Sequence, residues 1–220
     1  MALSRERVLK AAIRLADKEG IDALSMRRLA RTLGVEAMSL YNHVASKGDL
    51  VDGMVDLVLG AIELPPESDR WDDAIRAYAL AVHAELIRHQ WAGNLVIGLS
   101  APGGPRDSRI RHMEWLLRRL REGGFSPELT YHGYHVLDAH ILGFTLWELG
   151  HDAAGERFER QADVQGFVSN LIEQLRAGGN VYLAEHAEQH VAGVDDETSA
   201  FELGLDLILD GLRRMRRSGL

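Results

Sequence analysis

Ten histidines among 220 residues raise the question of metal chemistry. His132, His135 and His140 fall in one apolar segment, whereas His186 and His190 lie one helical turn apart. On a helix, His140 would lie roughly 140° around the axis from His135, so the first three histidines share no face. The HAEQH pair lacks the glutamate that directly follows the first histidine of zinc-protease helices, and neither group contains the Glu-x-x-His pair of di-iron bundles. We predict no metal and no cofactor, and keep a histidine-rich metal-binding enzyme as the alternative.

The segment 25–47 holds a second group of side chains with a definite chemistry. Cationic and hydroxyl groups donate to DNA phosphates, whereas amide and apolar groups read base edges in the major groove. The candidates for such contacts are Ser25, Arg27, Arg28, Ala37, Met38, Ser39, Tyr41, Asn42, His43 and Lys47. Asn42 is suited to adenine, and Ala37 or Met38 to a thymine methyl group. A helix pair that only packs within a bundle, or that binds protein, is the alternative.

The distribution of charge supports a nucleic-acid surface at this end of the chain. The net charge is −8, but residues 1–47 contain nine Lys/Arg against five Asp/Glu, a net charge of +4. The remaining 173 residues therefore carry −12. The basic N-terminal segment, residues 1–47, is called the head below, and the acidic remainder is called the body. This asymmetry predicts that only the head binds a polyanion.

Capping residues and apolar spacing predict four helices in the head. Ser4 and Gly20 bound the first helix, and Ser25 caps a second that ends at Gly34. A third helix is predicted over 36–43, and a fourth over 49–62 behind the capping box that Ser46 opens. The order short helix, glycine turn, short helix over 25–43 is typical of a helix-turn-helix.

The prolines of the run LPPESD, at 64–69, indicate a domain boundary. Beyond it, helices are predicted over 71–89, around 95, and over 106–121, 127–149, 156–176 and 197–217, with Gly155 between two of them and no clear pattern over 180–196. The whole chain is predicted to be all-α. It divides into a DNA-binding domain at 1–50 and a helical ligand-binding and dimerisation domain at 65–220, joined only by the helix 49–62.

Composition excludes several classes of protein. The chain is 46% hydrophobic and 26% charged, as in ordinary globular proteins, and it has no cysteine for disulfides or thiolate metal sites. Its most apolar stretch, 129–149, contains histidines and acids that make it too polar to span a membrane. The N-terminal segment lacks the apolar run of a signal peptide. We expect a cytoplasmic protein with no membrane partner.

Apolar residues on the last helix and on the long helix suggest self-association. Leu203 and Leu207 form a second stripe beside the main one, so one stripe can close the protomer's core while the other needs a partner. The predicted dimer interface contains Leu137, Ile141, Phe201, Leu205, Ile208 and Leu212. Gly204 and Gly211 would allow close approach of two helices. A monomeric bundle with two central helices is the alternative.

Aromatic residues of the body are candidates for an apolar cavity in which histidines orient a polar group. The predicted lining is Trp91, His112, Met113, Trp115, Tyr131, Tyr134, His135, His140, Phe144, Trp147 and Phe167. Ordinary core packing is the alternative for each of them.

The run LGV at 33–35, followed by LYxHVxxK at 40–47, resembles the DNA-binding domain of the TetR family of bacterial transcriptional regulators. GGFSPEL at 123–129 and FELGLDLILDGL at 201–212 resemble the C-terminal domain of the tetracycline-repressor branch. The resemblance thus spans nearly the whole chain. It implies an all-α homodimeric repressor that binds double-stranded operator DNA and is released by a small-molecule effector.

The resemblance also assigns roles to single residues. It implies a recognition helix over 36–43 in the major groove, with Tyr41, His43 and Lys47 on phosphates and Arg27 on a guanine. The places at which tetracycline repressors hold magnesium and drug through a histidine and a glutamate fall on Val96 and Trp147. Magnesium-tetracycline is therefore not the expected effector, which the sequence leaves unidentified.

Overall fold

The computed structural model describes residues 2–66, 70–97, 107–159, 164–192 and 199–218. Within these ranges every regular element is helical and no strand occurs, which confirms the predicted all-α fold. No helix in them is long and apolar enough to cross a lipid bilayer.

Short helices form the N-terminal head. They are α1 (Arg5–Glu19), followed by a 3-10 turn (Ile21–Ala23), α2 (Met26–Leu33), α3 (Ala37–Leu40) and α4 (Lys47–Gly60). Ser4, Ser25 and Ser46 cap α1, α2 and α4 through a side-chain oxygen that accepts the backbone N–H three residues on. These predicted caps are confirmed, although α4 begins and ends two residues earlier than predicted.

Longer helices form the body. They are α5 (Trp71–Arg88), α6 (Ala92–Ile97), α7 (Asp107–Glu122), α8 (Pro127–Glu159), α9 (Val164–Ala177), α10 (Val181–Ala192) and α11 (Ala200–Ser218). The predicted break at Gly155 is wrong, because α8 continues through that glycine to Glu159. The region without a clear pattern contains α10. Part of the predicted boundary, at 67–69, lies outside the described residues.

The body is organised around α8, which packs against α5, α7 and α11. Gly204 of α11 lies so close to α8 that a Cβ there would meet His140 Cε1 at 2.5 Å. His140 Nε2 also bonds the carbonyl oxygen of Phe201, at 2.9 Å. The small residue at 204 therefore permits close packing inside the protomer, where the sequence suggested contact between two copies.

Ion pairs join α5 to α11 along their length. Arg76 donates to Asp206 at 2.9 Å and to Glu202 at 2.5 Å. Arg213 donates to Asp72 at 2.6 Å, and the Asp72 side chain is only 1% exposed. Because a buried carboxylate needs such partners, these contacts fix the orientation of α11 on the body.

The predicted dimer interface needs correction. Leu137, Ile141, Phe201, Leu205 and Leu212 are buried in the protomer's own core, and Ile208 packs against it. Such side chains leave little surface for a partner. The exposed apolar side chains of the same two helices are instead Val136, Leu203 and Leu207. An interface between copies is therefore a proposal for this second stripe.

The head and the body touch at a second place besides α4. Asp17, near the end of α1, accepts hydrogen bonds from the Nδ1 of His89 and the Nε1 of Trp91, both at 2.7 Å. His89 follows α5, and Trp91 directly precedes α6. The expectation that α4 alone joins the two parts is therefore wrong for non-covalent contacts.

Candidate functional site

A tight turn sets α3 across α2 in the head. Gly34 has φ +67° and ψ +36°, a left-handed conformation that glycine adopts without steric cost, and its N–H caps the end of α2. Leu29 of α2 and Leu40 of α3 are both fully buried, so they hold the two helices together. This geometry is that of a helix-turn-helix.

Residues 36–43, called the recognition segment below, are less helical than predicted. The α-helix covers Ala37–Leu40, and residues 41–43 continue it as turns. The Tyr41 N–H bonds the Met38 carbonyl, three residues back, and His43 bonds Leu40 in the same way. Such three-residue spacing tightens a helix end, so the predicted helix over 36–43 is shorter in the structure.

The exposed side of this segment carries donors and apolar atoms together. Met38 is 75% exposed and Tyr41 is 45% exposed, so both side chains are available for contact with a partner. The other predicted DNA contacts are exposed at Ser25, Arg27, Arg28, Asn42 and Lys47, and half-buried at Ala37, Ser39 and His43. The structure thus places these residues on or beside one helix-turn-helix surface.

Two of the predicted contacts already have partners inside the head. The Ser25 hydroxyl caps α2, and Arg28 forms an ion pair with Glu19 at the end of α1. Arg27 and Lys47 are exposed and form no ion pair among the residues that the structure describes, so they can donate to a phosphate or a base without losing a partner. Phosphate contact by Arg28 would require it to exchange Glu19 for the phosphate.

An ion pair clamps the recognition segment to α1. Arg5 donates to both oxygens of Asp49, at 2.9 Å each, and to the carbonyl of His43 at 2.8 Å. Asp49 also accepts the Ala45 N–H at 2.9 Å. From the sequence, Asp49 is only the residue three positions after the capping Ser46, because a partner 44 residues away at Arg5 leaves no local signal. The clamp fixes the start of α4 relative to the recognition segment.

Helices α4, α5, α6, α7 and α8 line a small, partly open cavity of about 40 Å³. Its lining is Leu59, Tyr78, Val82, Val96, Arg109, His112, Met113, Leu116, Tyr134, Asp138, Ile141 and Leu142. At roughly 10–15 Å³ for each water, the cavity holds about three water molecules. A larger occupant requires movement of the lining side chains.

One buried histidine connects this cavity to α4. His112 Nε2 lies 3.0 Å from the carbonyl oxygen of Leu59, to which it donates, and its Nδ1 lies 3.3 Å from the Tyr78 hydroxyl. Burial, with a smaller effect of Arg111, lowers the pKa of His112. The ring is therefore neutral at pH 7, with Nε2 protonated and Nδ1 accepting from Tyr78.

The structure brings together only part of the predicted cavity lining. His112, Met113 and Tyr134 line the cavity, and Trp115 is buried behind it with its ring 4.9 Å from that of Tyr78. The other predicted residues lie elsewhere: Trp91 at Asp17, His140 and Phe144 against Phe201, and Tyr131, His135, Trp147 and Phe167 on the exposed surface of the protomer. Their assignment to a pocket remains a prediction that this cavity does not support.

Sequence reasoning missed the charged lining residues. Arg109 and Asp138 lie on α7 and α8, 29 positions apart, and both face the cavity. Each is one polar position within an amphipathic helix, so only the packing of the two helices reveals them.

No cluster of three or more metal-ligating side chains occurs among the residues that the structure describes. The side chain of His190, one of the histidines considered for a metal site, lies outside the described residues.

Two family profiles match the chain, one for each part. The family described as "Bacterial regulatory proteins, tetR family" matches residues 8–54, and that described as "Tetracyclin repressor-like, C-terminal domain" matches residues 64–216. The chain belongs to the TetR family. It is therefore a DNA-binding transcriptional repressor that responds to a small-molecule ligand and binds operator DNA as a homodimer.

Individual TetR-family proteins are similar along nearly the whole chain. The HTH-type transcriptional repressor DrrR1 of Streptomyces coeruleorubidus is 33% identical over 96% of this chain and 77% of its own. The tetracycline repressor protein class D of Escherichia coli is 28% identical over 94% and 93%. The crystal structure of apo ActR from Streptomyces coelicolor covers all of both chains at 28% identity, with a TM-score of 0.75. ActR has also been solved with actinorhodin, at a TM-score of 0.69 to this chain.

Proposed function

We propose that a small, largely apolar effector enters the cavity and releases this TetR-family dimer from a near-palindromic operator. The proposal rests on the hydrogen bond from His112 to the carbonyl of Leu59. Leu59 lies in the last turn of α4, and Lys47 and the Asp49 clamp lie in its first turn. Because α4 is rigid over about 20 Å, a change at one end moves the other.

On DNA, the two heads of a dimer would lie in successive major grooves, roughly 34 Å apart. Arg27, Asn42 and the exposed Met38 would meet base edges, while Tyr41 and Lys47 would contact phosphates. An effector that prefers a conformer with different head spacing shifts the population away from the operator. A complete switch requires a preference of about 5.5 kcal/mol.

The chemistry of the cavity supports an effector other than magnesium-tetracycline. Val96 lines the cavity and offers no metal ligand, and Trp147 is half-exposed outside it. These are the places where a tetracycline repressor would hold the metal and drug. We also propose that the protein acts in the cytoplasm, where operator DNA lies, and that it performs no catalysis.

Operator binding is tested by fluorescence anisotropy with the upstream intergenic DNA and a scrambled duplex at two salt concentrations. We expect a preference of about a thousandfold or more for the native duplex and a steep loss of affinity with salt. Replacing Tyr41 by Phe and Lys47 by Met should weaken binding to both duplexes. Equal, weak binding of the wild type to both would contradict a specific operator in that fragment.

Coupling between cavity and head is tested by filling the cavity from within. Val96→Phe adds a ring to the lining and mimics an occupant, so we expect native-duplex affinity to fall about tenfold or more. Ala77→Phe adds the same ring on the exposed face of α5 and should leave affinity unchanged. A folded, dimeric Val96→Phe protein with wild-type affinity would show that the cavity does not control the heads.

A further inference from the structure

The polar groups of the cavity fall into two sets. His112 and Tyr78 bond each other, and His112 also bonds Leu59, so both groups are already satisfied by the protein. Tyr134 and Asp138 lie four residues apart on α8 and therefore on one helix face. Both residues line the cavity.

Asp138 differs from the other polar groups. Among the parts of the chain that the structure describes, no side chain or backbone group forms a hydrogen bond with its carboxylate, whereas the nearby Arg109 guanidinium donates to the carbonyl of Val96. Burial raises the pKa of Asp138, although the positive charge of Arg109 opposes this. A half-buried carboxylate without a donor is costly, so a donor from an occupant would be favourable.

The fixed charges of the cavity balance. Arg109 is positive and Asp138 is negative, while the buried His112 is neutral at pH 7 because its pKa is lowered. A charged occupant would be attracted by one of these two groups and repelled by the other, so the lining gives it no net Coulombic gain to offset the loss of its hydration. Leucine, valine and isoleucine side chains form much of the remaining wall. The lining therefore favours an uncharged molecule with a large apolar part.

Helix α7 provides a route by which the cavity can expand. Arg109 and Met113 line both this cavity and an outer cleft of about 120 Å³ that continues toward Leu117. Met113 is 39% exposed, and an unbranched methionine side chain changes rotamer easily. Displacement of these two side chains would join the cavity to the cleft and admit a ring.

We propose that the effector is an electrically neutral, mostly apolar molecule with a hydroxyl group that donates a hydrogen bond to Asp138. This assignment rests on the proposed effector role of the cavity. Its chemical class is an aromatic or alicyclic alcohol or phenol. Tyr134, which lines the cavity one helical turn before Asp138, supplies a second polar group for the same molecule.

Four probes that differ in one substituent test this assignment on the full-length dimer. They are 4-fluorotoluene, 4-fluorophenol, 4-fluorobenzylamine and 4-fluorobenzoate, and their binding is followed by fluorine NMR titration at pH 7. We expect 4-fluorophenol to bind about tenfold more tightly than 4-fluorotoluene, the effect of one hydrogen bond to a charged group. Both charged probes should bind more weakly than 4-fluorophenol.

Substitutions at Asp138 test whether this residue causes the tighter binding of 4-fluorophenol than of 4-fluorotoluene. Asp138→Leu should abolish the advantage of 4-fluorophenol and keep the binding of 4-fluorotoluene, whereas Asp138→Asn, which retains an amide oxygen, should keep part of the advantage. Glu128→Gln removes an exposed carboxylate from the first turn of the same helix and should change nothing. Thermal unfolding of each variant confirms that it is folded, and Asp138→Asn keeps the test valid if Asp138→Leu does not fold.

Each of the other possible outcomes would contradict a particular part of the proposal. Equal affinity for the phenol and the toluene, or an advantage that survives Asp138→Leu, would remove Asp138 as the acceptor while the effector cavity stands. Tighter binding of the amine or the benzoate would overturn the neutral class. Failure of all four probes to bind would overturn both this assignment and the cavity's effector role, whereas operator binding, measured separately, would be unaffected.

Discussion

Asp17→Ala is the perturbation that most directly tests how the head is held on the body. The substitution removes the single oxygen that accepts from both His89 and Trp91 at 2.7 Å. A hydrogen bond to a charged group contributes about 1.5–3 kcal/mol, but Asp17 is 30% exposed and one atom serves both donors, so the two contributions do not add. Trp91 is only 8% exposed, and its N–H would be left without this acceptor.

We expect a loss of about 2 kcal/mol in the free energy of unfolding. For a chain of this length that corresponds to a fall of about 4–8 °C in Tm. Urea unfolding at fixed protomer concentration measures the change, since dimers are stabilised by mass action. The indole N–H resonance of Trp91 reports the local contact directly, and its protection from hydrogen exchange should fall.

Asp22→Ala is the matched control, because it removes an exposed carboxylate from the neighbouring 3-10 turn. Its unfolding free energy should stay within about 0.5 kcal/mol of wild type. If Asp17→Ala were no less stable than Asp22→Ala and the Trp91 resonance kept its protection, the contact would contribute nothing to the attachment of the head.

Three further predictions concern single residues. Gly34→Ala should lower the unfolding free energy by about 1 kcal/mol in urea titrations, because φ is +67° there; an unchanged value would contradict the left-handed turn. Lys47→Met should reduce the slope of log affinity against log salt by about one in operator titrations, and an unchanged slope would remove Lys47 from the phosphate contacts. Burial alone would raise the pKa of Asp72, but hydrogen bonds from Arg70 and Arg213 outweigh it and lower the pKa to about 2. Because that pKa lies below the value of 3.8 outside the fold, wild-type stability should include about 2 kcal/mol from ionised Asp72 above about pH 4 and lose it toward pH 2; Asp72→Asn should lack this dependence in acid unfolding curves.

Local chemistry made much of the head predictable. A serine that caps a helix acts on the N–H three residues away, and a glycine with positive φ acts on its own turn, so Ser25 and Gly34 could be assigned from neighbouring residues alone. The recognition segment was harder, because Tyr41, Asn42 and His43 continue α3 as turns that helical spacing does not distinguish from a helix.

In the body, prediction from neighbouring residues fails to distinguish the two apolar stripes of α11. Phe201 and Leu205 form one apolar stripe of α11, and Leu203 and Leu207 form another, each with helical spacing. The structure buries the first stripe in the protomer and leaves Leu203 and Leu207 57% and 62% exposed. Periodicity records that a face is apolar, and only the packing of α11 on α8 decides which face the protomer itself covers.

The sequence by itself therefore determined the helical class, the helix caps, the helix-turn-helix and its family, because each depends on residues a few positions apart. Tertiary structure alone decided the contacts of Asp17 with Trp91, of Arg5 with Asp49, and the meeting of Arg109 with Asp138 at one cavity. These pairs are separated by 29 to 74 positions. A polar residue on an amphipathic helix faces solvent or a cavity according to what packs above it, and that neighbour lies in a distant part of the chain.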